Sequence, residues 1–255
     1  MKAVILAAGC SSRLRPRTTD TPKTLVPVGG IPILRRTLSS LMRTGFDQIV
    51  IVTGYLEHMI RKAVVDWFPT LDVTFVNNPE FRTTDNACSL LLAGEHVAGD
   101  PFMLLDGDVV FELGVIEELV ERGPDCLAVR SVGDLGGEEV KVTADNEDRV
   151  RAISKREPVC TAMGESVGIA LFSATTSTRL FAALHDRVRV RGLVNEYYEA
   201  AFQQVLDEGL TLYGVDITLL YATEIDTLED LSTADEQLAR RRAFDTHVEG
   251  VRLAG

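Results

Sequence analysis

The sequence predicts an α/β protein: a mostly parallel sheet with helices on its faces. Three observations carry that prediction. The apolar runs "AVILAA" and "QIVIVTG" show no polar alternation, as expected of strands buried on both faces. Each is followed by apolar residues at helical spacing, in "IPILRRTLSSLMRTG" and "YLEHMIRKAVVDWF". Pro32 and Gly45 fall at the joints between runs, where chain direction changes.

Taken in order, the first strand covers residues 2–8, and its loop leads to a helix. That helix places Ile33, Leu34, Thr37, Leu38, Leu41 and Met42 on one face, with Pro32 in the first turn and Gly45 at the stop. Strand "QIVIVTG", a helix that Trp67 closes against the core, and strand "DVTFVNN" continue the βαβ rhythm of a parallel sheet with right-handed crossovers. Residues 86–97 read as a helix, and "PFMLLDGDVVF" as a strand whose carboxyl end carries Asp106 and Asp108. From about 126 to 172 the strands are "CLAVRSV", "EEVKVTA", "RVRAISK" and "ESVGIALFS". Helices return at 175–187 and 195–208, strands near 211–223, and a charged helix from about 227, whose acidic start suits the helix dipole. No Pro/Gly/Ser linker interrupts the chain, so the expectation is one domain over 1–240 and a tail over 241–255.

Composition narrows the function. With 255 residues and 45% apolar content the chain can bury a sizeable core, and its net charge of −12 repels nucleic acid and anionic lipid. The expected partners therefore include no nucleic acid and no membrane, and any phosphate binding must be local. The cluster Arg13, Arg15, Arg17 and Lys23 is such a locality. Cys10, Cys88, Cys126 and Cys160 lie apart with no C-x-x-C pair, and the start lacks a signal-peptide layout, so reduced thiols in the cytoplasm are expected. No apolar run approaches the ~20 residues that span a bilayer. His58, His96, His185 and His247 have no metal spacing and are assigned no role. The composition is compatible with a homo-oligomer.

Ligands of open α/β sheets bind beyond the carboxyl ends of the strands. Two loops stand there. In "AAGCSSRLRP" the small residues Ala7, Ala8, Gly9, Ser11 and Ser12 let backbone N–H groups face a ligand, a cradle for an oxyanion. Asp106-Gly107-Asp108 offers carboxylates for a divalent ion. A polyphosphate with its metal explains both loops. The first matches neither the P-loop nor the dinucleotide fingerprint.

The run from residue 3 to 30, including "PKTLVPVGG", closely resembles the signature of nucleotidyltransferases that join an NTP to a sugar phosphate or similar acceptor. "NPEFRTTDNACSLLLA", "LLDGDVVF" and "ATEIDTLEDLSTA" are similar to the branch that includes phosphocholine and aminoalkylphosphonate cytidylyltransferases, and the resemblance covers Met1 to about Ala234. It implies a Rossmann-like, mostly parallel mixed sheet flanked by helices, of the nucleotide-diphospho-sugar transferase (GT-A-like) kind. An NTP-binding part over about 1–125 and an inserted acceptor-binding β portion over about 126–225 follow from it.

The resemblance also implies roles. A phosphate or phosphonate oxygen of the acceptor attacks the α-phosphorus of the NTP and pyrophosphate leaves, so positioning and charge neutralisation carry the catalysis. Arg13 would grip the β/γ-phosphates and Lys23 would bridge the α-phosphate and the acceptor. Asp108 and Asp226 would hold Mg²⁺, with Asp106 on the ribose or a metal-bound water. The Gly9 turn, Asp85 and Asn86 would read the base. Because the carboxylate of Asp85 stands where the branch has an asparagine, and accepts but cannot donate, CTP is favoured while UTP or dTTP stays open. Lys155 would hold the acceptor phosphate, and Glu165 and the "NEYYE" run at 195–199 would line the acceptor pocket, where Glu165, Glu196, Tyr197 and Tyr198 suit a cationic head group, although Ala222 replaces an aromatic often found there. Two rivals remain: a sugar 1-phosphate as acceptor, and a regulatory subunit that lost the chemistry. Retention of Arg13, Lys23, Asp108 and Asp226 argues against the second.

Overall fold

The computed structural model describes residues 1–131, 137 and 139–252, with 242–252 described by backbone alone. Strand β1 (Lys2–Ala7) is followed by the small hairpin β2 (Pro27–Val28) and β3 (Ile31–Pro32), helix α1 (Ile33–Arg43), β4 (Gln48–Thr53), α2 (Glu57–Trp67) and β5 (Asp72–Asn77). Then come α3 (Asn86–Val97), β6 (Phe102–Asp106), β7 (Val109–Phe111), α4 (Leu113–Arg122), β8 (Cys126–Arg130), β9 (Lys141–Ala144), β10 (Val150–Ser154) and β11 (Gly164–Phe172). The chain closes with α5 (Ala174–His185), α6 (Glu199–Asp207), β12 (Tyr213–Asp216), β13 (Ala222–Glu224) and α7 (Leu228–Arg252).

The main sheet runs β5-β4-β1-β6-β11-β8-β12, with the β9–β10 hairpin joined to the start of β11. The β5, β4, β1 and β6 strands are mutually parallel, while β11 runs antiparallel to β6, β8 and β9. This is the mostly parallel mixed sheet that the sequence predicts. It is covered on both faces: one core cluster joins the sheet to α3, α5 and α6, the other to α1, α2 and α4. Among the described residues no helix is long and apolar enough to cross a membrane.

Burial, more than local propensity, sets the helices. Leu34, Leu38 and Leu41 of α1 are fully buried. Each contributes about 2 kcal/mol of transfer free energy. That exceeds the ~0.5 kcal/mol each that Thr37, Ser39 and Ser40 give up in helix propensity. Met42, expected on the same face, instead projects into solvent, because α1 ends one residue later and the chain turns through Thr44 and Gly45 (φ +83°). Trp67 is half-buried, with the Arg35 guanidinium 5.8 Å from its ring centroid, so it caps the core edge from outside.

Three further expectations are corrected. The run "PFMLLDGDVVF" is two strands: it leaves the sheet after Asp106, and β7 pairs with β13 in a separate ribbon. Helix α6 starts at Glu199, four residues late, because 195–198 is held by the start of α3: the Ala87 N–H donates to the Glu196 carbonyl and the Tyr198 N–H to Asn86 Oδ1. The strands expected near 211–223 are β12 and β13. Helix α7 runs straight through residue 240, where the tail was expected to begin. Residues 253–255 of that tail, Val132 of "CLAVRSV" and Glu138 of "EEVKVTA" lie outside the described residues.

Candidate active site

The two loops expected to share a site do so because their strands end level. In the β1–β6 ladder Leu6 stands opposite Asp106, and the Gly107 N–H donates to the Leu6 carbonyl at 2.9 Å. Gly107 is required by that closeness, since a Cβ there would stand 2.5 Å from the same carbonyl oxygen. Ser11 adopts φ +44° to turn the first loop, and the Thr18 hydroxyl braces it by donating to the Ser11 carbonyl at 2.7 Å. Around Gly9 the space is open: a Cβ would meet nothing within 4 Å. A cleft of about 570 Å³ lies there, within the usual range of small-ligand sites.

Asp226 reaches this cleft from the far end of the chain through the β7–β13 ribbon. Glu224 pairs with Val109, and the Ile225 N–H donates to the Asp108 carbonyl at 3.1 Å, so both aspartates sit at one corner. Asp230 fixes the corner by accepting from the N–H groups of Asp226 (3.0 Å) and Thr227 (2.7 Å), while the Thr227 hydroxyl accepts from the Asp230 N–H. This reciprocal cap starts α7.

Lys23 lies between the two carboxylates. Its Nζ is 2.6 Å from Asp108 Oδ2 and 2.6 Å from Asp226 Oδ1, and the residue is only 8% exposed. Burial works against the ammonium, but the charges of Asp108 and Asp226 outweigh it and raise its pKa above the ordinary lysine value. Arg13, with its side chain 64% exposed, donates to Asp226 Oδ2 at 2.7 Å. Burial pushes the Asp226 carboxyl up, yet Lys23 and then Arg13 hold it below the usual carboxylate range. Asp108–Lys23–Asp226–Arg13 is thus one alternating-charge network at the mouth of the Gly9 loop.

Asp106 is placed differently. Burial first, then the charges of Asp108 and Glu199, push its carboxyl well above the usual range, and the Tyr198 hydroxyl donates to its Oδ2 at 2.7 Å. Its neighbour Glu224 is raised by desolvation and then by Asp108, although solvent reaching it across the open cleft tempers the shift.

The other expected residues divide. Ala8, Gly9, Arg13, Asp85, Asn86 and Lys155 stand on the cleft wall; Ala7, Ser11 and Ser12 do not. Tyr197 is on the wall with the Lys155 ammonium 4.7 Å over its ring. Tyr198, expected to line the acceptor pocket, is a core residue at 1% exposure and meets the site only through its hydroxyl on Asp106. Glu165 lines the cleft, but its Oε1 accepts from Arg130, whose Nη1 also donates to the Ala222 carbonyl. Glu196 faces a neighbouring cavity, with Oε2 held by Arg187 at 2.8 Å. The structure therefore brings together the nucleotide-side residues and ties up most of the acceptor-side ones.

A family model described as the MobA-like NTP transferase domain matches residues 3–204. The chain belongs to that family. The CMP-5'-(3-aminopropyl)phosphonate synthase of Streptomyces rubellomurinus is 35% identical over 245 residues, which are 92% of this chain and 38% of the synthase, so the chain spans well under half of that relative. The 2-aminoethylphosphonate cytidylyltransferase of Lancefieldella rimae is 25% identical over 236 residues, 91% of each chain. Among solved structures, CTP:phosphocholine cytidylyltransferase from Streptococcus pneumoniae shares the fold at a TM-score of 0.75 and 24% identity, over 93% of this chain and 98% of that one.

In this NTP transferase domain Glu224 and Arg130 are cleft residues that escape the sequence reading. Glu224 precedes Asp226 by two, and strand alternation would have set both on one side. Arg130 ends a fully apolar strand, where a charge needs a partner. Glu199, which opens α6, belongs to the "NEYYE" run expected to line the acceptor pocket, and it stands on the cleft wall.

Proposed function

We propose that the chain is a nucleotidyltransferase that moves CMP from CTP to a small phosphorylated or phosphonate acceptor and releases pyrophosphate. The acceptor oxygen forms the new bond to the α-phosphorus as the bond to the β-phosphate oxygen breaks, and that oxygen keeps the electron pair. The observation that carries this reading is the Asp108–Lys23–Asp226–Arg13 network at an open, glycine-lined loop. Arg13, exposed and held by one carboxylate, is free to take the β- and γ-phosphates. Lys23, buried and held charged, offsets charge at the α-phosphate.

Asp108 and Asp226 fit a hard divalent cation, Mg²⁺. Both present carboxylate oxygens to one point, where Lys23 Nζ now sits, and two carboxylates completed by phosphate oxygens are the usual donor set for that ion. When bound, Mg²⁺ would neutralise phosphate charge.

The base-reading pair supports cytosine. Asn86 Oδ1 is engaged by the Tyr198 N–H, which fixes the Asn86 side chain as a donor through Nδ2. Beside it Asp85 is an acceptor. That order complements the cytosine edge, whose amino group donates and whose O2 and N3 accept, whereas O4 of uracil would face a carboxylate.

The test is pyrophosphate release from CTP, UTP and dTTP with Mg²⁺ and a panel of acceptors: 2-aminoethylphosphonate, phosphocholine and a sugar 1-phosphate. CTP with one of the first two is expected to turn over, and Asp108→Ala to lower the rate by roughly a thousandfold or more. No release from any pair, or full activity in Asp108→Ala, contradicts the reading.

A further inference from the structure

Tyr198 meets two residues of the cleft wall at once. Its backbone N–H donates to Asn86 Oδ1 at 2.8 Å, and its hydroxyl donates to Asp106 Oδ2 at 2.7 Å. The ring between those two bonds is buried and packs on Phe202, with centroids 5.0 Å apart. Asp106 is half-buried on the cleft wall, where a ligand can reach it, and its Oδ1 has no hydrogen-bond partner among the described residues. Gly168, at φ +70°, makes room for this pose, since a Cβ there would collide with Asp106 Oδ2.

The place of that open oxygen decides what it meets. Asn86 lies one tyrosine away from Asp106, Asp108 lies two residues beyond it, and all three line one cleft. A nucleotide carries its sugar between base and phosphates. With the base at Asn86 and the phosphates at Lys23, Arg13 and Asp108, the sugar is the part that faces Asp106. We propose that Tyr198 is a positioning residue for sugar selection: by holding Asp106 Oδ2 it aims Oδ1 at a ribose hydroxyl, and the site selects a nucleotide that carries that hydroxyl. The proposal rests on the transfer reading above and names the sugar of its nucleotide.

The clamp matters because little else orients this carboxyl group. The strongest charges acting on Asp106 are those of Asp108, Glu199 and Glu224, all negative, and the Tyr198 hydroxyl is its one hydrogen-bond donor among the described residues. Without that hydroxyl the carboxyl group is free to turn, and an acceptor whose direction is not fixed discriminates poorly. A fixed one discriminates well. A nucleotide that lacks the matching hydroxyl leaves a polar atom of the site unpaired, which is the kind of mismatch that binding sites reject most strongly.

The test compares wild type with Tyr198→Phe, which removes one oxygen and keeps the ring, and with Asp106→Ala, which removes the acceptor itself. Turnover with Mg²⁺ and 2-aminoethylphosphonate is measured on CTP, 2'-deoxyCTP and 3'-deoxyCTP. Wild type is expected to favour CTP in kcat/KM by roughly tenfold or more over at least one deoxy analogue, and both variants to cut that preference to about threefold or less, through KM for the nucleotide. Calorimetric titration of the three nucleotides gives the same ratios without turnover. A loss of packing alone would weaken all three nucleotides alike and leave the ratios unchanged, which overturns the proposal. Wild type indifferent to both hydroxyls overturns it too, as do variants whose only change is a higher Mg²⁺ requirement, the mark of a carboxylate that serves the metal. Binding that discriminates through Tyr198 with no pyrophosphate released would keep this proposal and overturn the transfer reading.

Discussion

At the nucleotide end of the cleft, Asp108, Lys23, Asp226 and Arg13 satisfy one another; at the acceptor end, Glu165 and Glu196 are bound to structural arginines while Glu199 is left with an unpaired oxygen. The first end is a charge network closed on itself, in which, on the proposed function, a phosphate would take the place of a carboxylate. The second end is a fixed scaffold with one opening. The contrast teaches that proximity to a cleft does not make a carboxylate a ligand-binding group, because a guanidinium behind it can already fill its lone pairs.

The sharpest way to break this contrast is at the loop itself. Gly9→Ala introduces no clash in the free protein, where a Cβ meets nothing within 4 Å, but it intrudes on the space assigned to phosphate. The expected result is a KM for CTP raised by roughly tenfold or more, with a Tm within about 2 °C of wild type. An unchanged KM would move the nucleotide elsewhere. Steady-state kinetics and calorimetry read the two quantities.

A smaller effect separates the two ends by pH. Folded Glu199 titrates at about 7 against an ordinary 4.5, so the folded chain keeps a proton that the unfolded chain has lost, and stability falls as pH rises between those values. Asp226 behaves oppositely: its lowered pKa adds stability above the ordinary value of 3.8, lost only as pH drops through the folded one. Glu199→Gln is therefore expected to be the more stable protein near about pH 8, on the order of 1 kcal/mol, with little difference near about pH 4. Denaturant unfolding at the two pH values measures it, and an equal difference at both would contradict the assignment.

Legibility from sequence follows the same division. The parallel strands, α3 at residues 86–97, and the meeting of the Gly9 loop with Asp108 were readable because backbone geometry dictates them: apolar runs make buried strands, and strand ends define where loops collect. The fate of Tyr198 and Glu165 was not, since it depends on Asp106 and Arg130, residues distant in sequence that choose them as partners. The run "NEYYE" takes Glu199 to the acceptor pocket, but its unpaired oxygen is not legible there. What marks it is the lack of a partner, and spacing carries no trace of that.

The claim on which the account turns is that the alternating-charge network is a nucleotide site. A crystal structure of the chain with CTP and Mg²⁺ tests it most directly. The account predicts the triphosphate over the Gly9 turn, Arg13 drawn from Asp226 onto phosphate, and the cation between Asp108 and Asp226. A nucleotide bound elsewhere, with all three ion pairs of Lys23 and Arg13 intact, would contradict it.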